Sequence, residues 1–335
     1  MTSGDFPRRS GLFSWWKFRP PISAPLREEA VQQYILRRTG QSVIALFLLS
    51  IIVFGVVRLT GDPSYLLIDE QNTEEQRLEI RRALGLDRHV VIQYGLFVGN
   101  FLQGDFGRSV RGRTPVKDQV VERIMPSVKL AGAAIVFILV TAVPLGVIAA
   151  VKKGTIIDSG AKLIAVLGQS LPSFWLGIIL IEIFAVQLDL LPTQGMGGFS
   201  HYILPAFTLS LFLIAGVMRL LRSSMLDVLD SEYIKLARVK GLSETGVIWK
   251  HALRNSLIAV VTFGGTYIAA LITLAILVEV VFAWPGLGRL VFNGIINRDF
   301  PLVQTLVILT GALVIFVNLL VDILYAYLDP RVRFE

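Results

Sequence analysis

Six stretches of the chain run without a charged residue for about the length a helix needs to cross a bilayer, some 20 residues. They are Thr39–Val57, Leu130–Val151, Leu163–Ile181, Leu190–Met218, Asn255–Val278 and Phe300–Val321. The first third of the fourth run reads as loop. A further run, His89–Gly104, carries Gln93, Asn100, Gln103 and two glycines. It reads as a half-buried helix lying on the membrane surface rather than a seventh span. The pattern therefore predicts an all-α integral membrane protein with six transmembrane helices. Its spans fall at about 39–59, 128–151, 163–186, 202–221, 257–282 and 302–328.

Basic residues in the short loops orient these spans. The second loop holds Lys152, Lys153 and Lys162, and the fourth holds Arg219, Arg222, Lys235, Arg238, Lys240, Lys250 and Arg254. The third loop holds none, and the fifth holds Arg289 and Arg298. The asymmetry predicts both termini in the cytoplasm, with a tail over 1–38 and a C-terminus over 329–335. It also leaves a large external loop over 60–127 between spans one and two. The first run reads as a span and not as a cleaved signal peptide, because it lies well inside the chain and lacks a small-residue cleavage site.

Residues 1–33 are basic, proline-rich and aromatic, and two readings stand: a disordered tail or an arm on the inner leaflet with Trp15 and Trp16 at the interface. In the external loop, Thr73–Leu84 reads as a helix capped by Thr73 and stopped by Gly85. Gly104–Gly107 then reads as turn, and Val116–Ile124 as a short helix after Pro115. A loop of this size fits either a docking surface for an external partner or a plug. Pro144, Pro172 and Pro205 punctuate the spans, as proline often does in membranes. The two halves show no internal repeat, which argues against a secondary transporter built from inverted repeats.

The fourth loop, 222–256, carries the strongest local signals. Asp230 and Ser231 can cap a helix over Glu232–Lys240, with Tyr233, Leu236 and Ala237 forming one apolar stripe. Basic residues in its last turn followed by Gly241 mark a left-handed helix stop. Ser243 can cap a second helix to about Asn255, with Val247, Ile248 and Ala252 towards one side. The result is a helical knob at the membrane face, either a hairpin without a partner or a lever for a cytoplasmic motor.

Few charges fall near the spans. Glu182 and Glu279 lie near the outer ends of spans three and five, and Asp322 lies one turn beyond Asn318 in span six. A charge in a span is costly, so each needs a role. One role is structural, between helices. The other places Glu182, Glu279 and Asn318 on a substrate pathway.

Composition agrees with the membrane reading. Apolar residues make up 54% of the 335-residue chain and charged ones 17%, against about 25% charged in a soluble domain. The formal charge of +7 follows from membrane topology rather than nucleic-acid binding. There is no cysteine, and His89, His201 and His251 lie far apart, so no metal set and no thiol nucleophile is predicted. An intramembrane enzyme has no visible nucleophile–base pair.

Tyr233-x-x-x-Ala237-Arg238-x-Lys240-Gly241-Leu242, followed by Lys250-His251-Ala252-Leu253-Arg254-Asn255, resembles the ATPase-docking loop of ABC importer permeases of the dipeptide/oligopeptide/nickel family. The general Glu-Ala-Ala pattern of that loop is met here by Lys235-Leu236-Ala237, so only its last alanine and Gly241 match. Further similarity lies in Gly61-Asp62-Pro63, Leu84-Gly85-Leu86-Asp87, Gly104-Asp105-Phe106-Gly107-x-Ser109, Leu191-Pro192-Thr193, Phe282-Ala283-Trp284-Pro285-Gly286-Leu287-Gly288 and Asn318-Leu319-x-Val321-Asp322. His89 departs from the family's usual proline, and the first 33 residues are extra.

The resemblance implies a type I ABC importer permease fold and a passive transport subunit, not an enzyme. It implies four kinds of partner: a second similar permease, two ABC ATPases, an external substrate-binding protein, and membrane lipid. It implies docking through Lys235, Leu236, Ala237, Arg238, Lys240, Gly241, Leu242 and His251. The chain has no phosphate-binding Gly-x4-Gly-Lys-Ser/Thr motif. No cofactor of its own is therefore expected, ATP and Mg being used by the partner ATPases, and no nucleic acid is expected. The alternative reading is a self-contained secondary transporter or channel.

Overall fold

The computed structural model describes residues 25–60, 75–76, 87–110 and 114–328. Most of the N-terminal tail and the helix expected at Thr73–Leu84 lie outside these residues. The chain order is α1 (Pro25–Thr60), α2 (Val90–Leu102), α3 (Val116–Val151), α4 (Ile156–Ser170) and α5 (Ser173–Leu180, continued by a π-helical stretch Ile181–Gln187). These are followed by α6 (Ser200–Leu229), α7 (Glu232–Val239), α8 (Leu253–Val281), α9 (Leu287–Ile296) and α10 (Phe300–Leu328). A turn at Glu244–Gly246 and a π-helical stretch Val247–Ala252 lead directly into α8.

Among the described residues four helices are long and apolar enough to cross a membrane: Gln32–Leu59, Val116–Val151, Ser200–Leu229 and Phe300–Leu324. Two bent pairs raise the number to six if each is one span: Ile156–Ser170 with Ser173–Gln187, bent by 106°, and Glu244–Thr262 with Thr266–Val281, bent by 58°. The proline at Pro172, expected to kink a straight third span, instead separates two helices. Leu171 and Pro172 are both extended, at ψ near 130°, because a residue before proline avoids the helical region and proline itself lacks the N–H to continue it.

Pro126 behaves in the opposite way. The expected short helix over Val116–Ile124 and the second span form a single 36-residue helix with Pro126 and Pro144 inside it. At 1.5 Å per residue this helix is about 54 Å long, well beyond a hydrocarbon core of about 30 Å. Its N-terminal turns bury Val116 and Val120 against Val291, Leu302 and Leu306. That packing, together with the buried Pro126 ring, offsets the lost helical bond.

The core gathers around α6, the most buried of the long helices. Leu209, Leu213, Ala215 and Met218 of α6 meet Leu130, Ala134 and Ala142 of α3, and Phe282 and Trp284 at the end of α8. The helix α2 is too short to cross a bilayer at about 20 Å. It leans on α1 through Tyr94, whose hydroxyl lies 2.7 Å from Ser50 Oγ and whose ring meets Phe47 and Phe54 edge-on. Arg38 and Asp322, 3.4 Å apart, tie α1 to α10 near the other end of both helices.

Candidate functional site

The knob forms as its residues dictate, with one departure. Ser231 takes an extended N-cap conformation ahead of α7, and its hydroxyl donates to the Val228 carbonyl. The helix stops at Gly241, with φ +80°. There the Gly241 N–H reaches the Arg238 carbonyl at 2.9 Å and the Leu242 N–H reaches the Ala237 carbonyl at 3.3 Å. This pair of bonds is a Schellman closure, which satisfies carbonyls that a helix end leaves free. Ser243 then caps the next turn, its Oγ accepting the Gly246 N–H. That turn does not end at Asn255 but continues into α8, so the knob is built onto a span and not hung beside it. On the other side, α6 extends to Leu229 before the knob begins.

Inside, Ile234, Val247 and Ala252 are fully buried against Val147 and Ala150 of α3 and Leu221 and Met225 of α6. The stripe expected from Tyr233, Leu236 and Ala237 is thereby divided. Ala237 packs inward beside Ile234, while Tyr233 and Leu236 are exposed, at 42% and 54%. The face of α7 that is buried is the one turned to α3 and α6. Its buried residue is Ile234, which the spacing alone did not single out.

Across the Gly241 turn, Arg238 clamps Glu244, with Nε to Oε1 at 2.7 Å. Lys235 pairs with Glu232 at 2.8 Å, and Asn255 donates its amide to the Tyr233 hydroxyl. Exposed ion pairs of this kind contribute at most about 1 kcal/mol each; they orient the surface more than they hold it. The outer face presents Tyr233, Leu236, Val239, Leu242 and Trp249, all more than 40% exposed, among Lys235, Lys240 and Lys250, which are exposed as well. His251 is half-buried beside them.

The three charged or polar pathway candidates fall in unlike surroundings, each with its own neighbours. Glu182 is exposed on the π-helical stretch and accepts from Gln187 Nε2 at 3.2 Å. Asn318 is exposed on α10. Glu279 is 1% exposed. Its Oε1 accepts the Ser127 hydroxyl at 2.6 Å, and its Oε2 accepts the Gly288 N–H at 2.7 Å and the Arg289 N–H at 3.2 Å. A carboxylate here meets the free N–H groups that open α9, where the helix dipole favours negative charge.

Around Glu279, Ser127 Oγ also accepts the Leu287 N–H at 2.8 Å, and the Trp284 indole donates to the Pro126 carbonyl at 3.0 Å. One face of the carboxylate borders an apolar cavity of about 380 Å³ between α3, α8 and α10. Nothing local in the sequence marks α9. A glycine-flanked run of ten residues between two spans reads as loop unless the buried acid that caps it is known.

Two further anchors escaped the sequence. Asp299 is buried, and its carboxylate accepts the Ser109 hydroxyl and the Val110 N–H, joining the Gly104–Ser109 turn to the start of α10. Asp158 is fully buried at the start of α4. It meets Arg222 through two bonds, at 2.6 and 2.9 Å, as well as Lys162 at 2.9 Å and the Gly154 N–H at 3.0 Å. Arg222 and Lys162 were legible only as loop charges that set orientation; a partner separated by 64 residues leaves no local pattern.

Among the described residues no group of three His, Cys, Asp or Glu side chains is placed to hold a metal ion.

Comparison with known proteins agrees with this picture. Residues 142–334 match the family described as the binding-protein-dependent transport system inner membrane component. Residues 31–131 match the N-terminal region of the same kind of membrane component. The glutathione transport system permease protein GsiC of Escherichia coli (strain K12) is 40% identical over 303 residues, covering 90% of this chain and 99% of that protein. The protein of the same name from Shigella dysenteriae serotype 1 (strain Sd197) matches to the same extent. The family is one of transport components of the bacterial inner membrane, not of enzymes, and its name presupposes a substrate-binding protein. The chain belongs to this family, as an inner-membrane permease component of a binding-protein-dependent importer of the dipeptide, oligopeptide and nickel type.

Proposed function

We propose that this chain crosses the membrane six times with both termini in the cytoplasm. On this reading it forms half of the translocation pathway of an ATP-driven importer beside a second, similar permease. Two ABC ATPases dock on the Lys235–Arg254 knob, and an external binding protein delivers the solute to the opposite side. ATP and Mg belong to the ATPases. The solute is a peptide or a peptide-like molecule. Glutathione, named for the relatives, is the first to test.

One observation carries this reading. The knob shows an exposed apolar and basic face outward, while its inner face is packed into α3, α6 and the start of α8. A partner that pushes on Leu236 therefore pushes on three spans at once. Closure of the ATPase pair would then tilt these spans and expose the pathway alternately to the two sides. Energy enters from the partner, so the permease needs only a firm handle and bendable spans. The breaks at Pro172 and between Thr262 and Thr266 are where bending is cheapest.

Glu279 is assigned to structure, because each of its oxygens is engaged by protein donors. Glu182 and Asn318, both exposed, remain for the pathway or the second permease.

The test is reconstitution of this chain with its second permease, ATPases and binding protein in liposomes. Uptake of labelled glutathione or a labelled dipeptide is expected only with ATP and binding protein together. Uptake by this chain alone, driven by an ion gradient, would instead establish the self-contained transporter.

A further inference from the structure

Beside the knob lies an ionic network that the docking reading does not use. Asp158 has no exposed surface, yet it keeps a full set of charged and polar donors: both Arg222 bonds, Lys162 and the Gly154 N–H. These four groups come from three parts of the chain. Gly154 lies in the turn after α3, Asp158 and Lys162 in the first turns of α4, and Arg222 near the end of α6. Arg222 directly follows Leu221 and stands one turn before Met225, both buried in the cluster that holds the knob.

Elsewhere these three helices meet through close backbone approaches. A side chain at Gly146 of α3 would press on the Met218 carbonyl and Leu221 of α6, both at 3.1 Å. One at Gly168 of α4 would press on Ala215 Cβ and the Leu211 carbonyl, at 3.1 and 3.2 Å. The contacts along α4 are small and apolar, with Ala161, Ala165 and Gly168 as its other buried residues. They allow sliding. The Asp158 network fixes position, since a bidentate carboxylate–guanidinium pair is held in both distance and plane.

We propose that Asp158 is a positioning residue for transport: a strut that makes α4, the first half of the broken third span, move as one body with α6 and the knob. The inference rests on the docking reading above. Without the strut, a push on the knob still reaches α3 and α6 but leaves α4 behind, so that ATP hydrolysis no longer opens the pathway fully. A strut stays closed through the cycle. It differs in this from a latch, which must open in one state.

The complete transporter, reconstituted with ATPases and binding protein, tests this in two ways. Asp158→Asn is expected to keep the ATPases bound and hydrolysing ATP while uptake falls at least tenfold. The chain contains no cysteine, so Asp158→Cys with Arg222→Cys gives a single reactive pair. This double variant is expected to lose uptake and to regain it when a short bis-methanethiosulfonate joins the two thiols, releasing methanesulfinate from each end. Normal uptake by Asp158→Asn overturns the strut, and so does a cross-linked double variant that stays inactive while its ATPases remain bound and hydrolysing ATP. ATPase co-purification with the unmodified chain is scored in parallel, so a failure of docking shows separately from a failure of the strut.

Discussion

Gly288→Ala is expected to prevent the protein from accumulating in folded form. A Cβ at this position would lie 2.5 Å from the backbone Cα of Ile276 and 3.0 Å from Glu279 Oε2. Real side chains do not tolerate the first distance, and Ile276 is backbone in the middle of a long helix, so it cannot step aside. Overpacking of this kind costs roughly 1–3 kcal/mol, sometimes more. The added methyl also displaces the Glu279 carboxylate from the N–H groups that neutralise it. A buried polar group stripped of its donors adds about 1–3 kcal/mol more. Against a typical total stability of about 5–15 kcal/mol, the sum is decisive. The measurement is the yield of monodisperse protein in detergent. Gly99→Ala, where a Cβ meets nothing within 4 Å, should accumulate normally. A normal yield from Gly288→Ala would mean that Glu279 and α9 are not packed as described.

Gly241→Val is expected to abolish uptake while leaving membrane insertion intact. No neighbour stands within 4 Å of the position a Cβ would take, but the residue sits at φ +80°. The obstacle is therefore conformational and not steric. Forcing a β-branched residue into the left-handed region costs roughly 1–2 kcal/mol. The chain escapes that cost by unwinding the Schellman closure, which moves Leu242 and loosens the Arg238–Glu244 clamp. That is a small loss for a protein of this size but a large change to a docking face. Gly241→Asn, which tolerates the same conformation better, should retain most uptake. The pair is read by transport assay alongside membrane content. Equal, normal uptake by both variants would remove the knob from the mechanism.

Much of this architecture was legible in the sequence because bilayer crossing and helix capping are local demands. Long uncharged runs marked the helices. Gly241 and Ser243 are found in the expected roles of helix stop and cap, while Ser231 stands at the N-cap position but turns its hydroxyl back to the Val228 carbonyl instead of capping. What escaped was set by distant partners. Proline was read alike throughout the spans, yet Pro172 separates two helices and Pro126 does not end one. Pro144 and Pro205 likewise lie inside helices, and Pro126 is further tied to Trp284, 158 positions away, through its carbonyl. The same holds for Asp158 with Arg222, for Ser109 with Asp299, and for Glu279, whose position near a span end suggested a pathway as readily as a cap. Only the fold shows that its carboxylate opens α9. Of the expected apolar stripe only Ala237 turns inward, beside Ile234, while Tyr233 and Leu236 lie on the surface.

The docking of ATPases on the exposed face of α7 is the claim on which the mechanism rests. Leu236→Cys provides the most direct measurement, since it is the single thiol in an otherwise cysteine-free chain. In membranes holding the whole transporter, a short thiol-to-amine cross-linker should join this residue to an ATPase subunit, identified by mass spectrometry of the joined peptides. The yield should change when ATP is added. A Leu236→Cys thiol that reacts freely with a water-soluble maleimide, whether or not ATPases are present, and joins no ATPase would contradict the account.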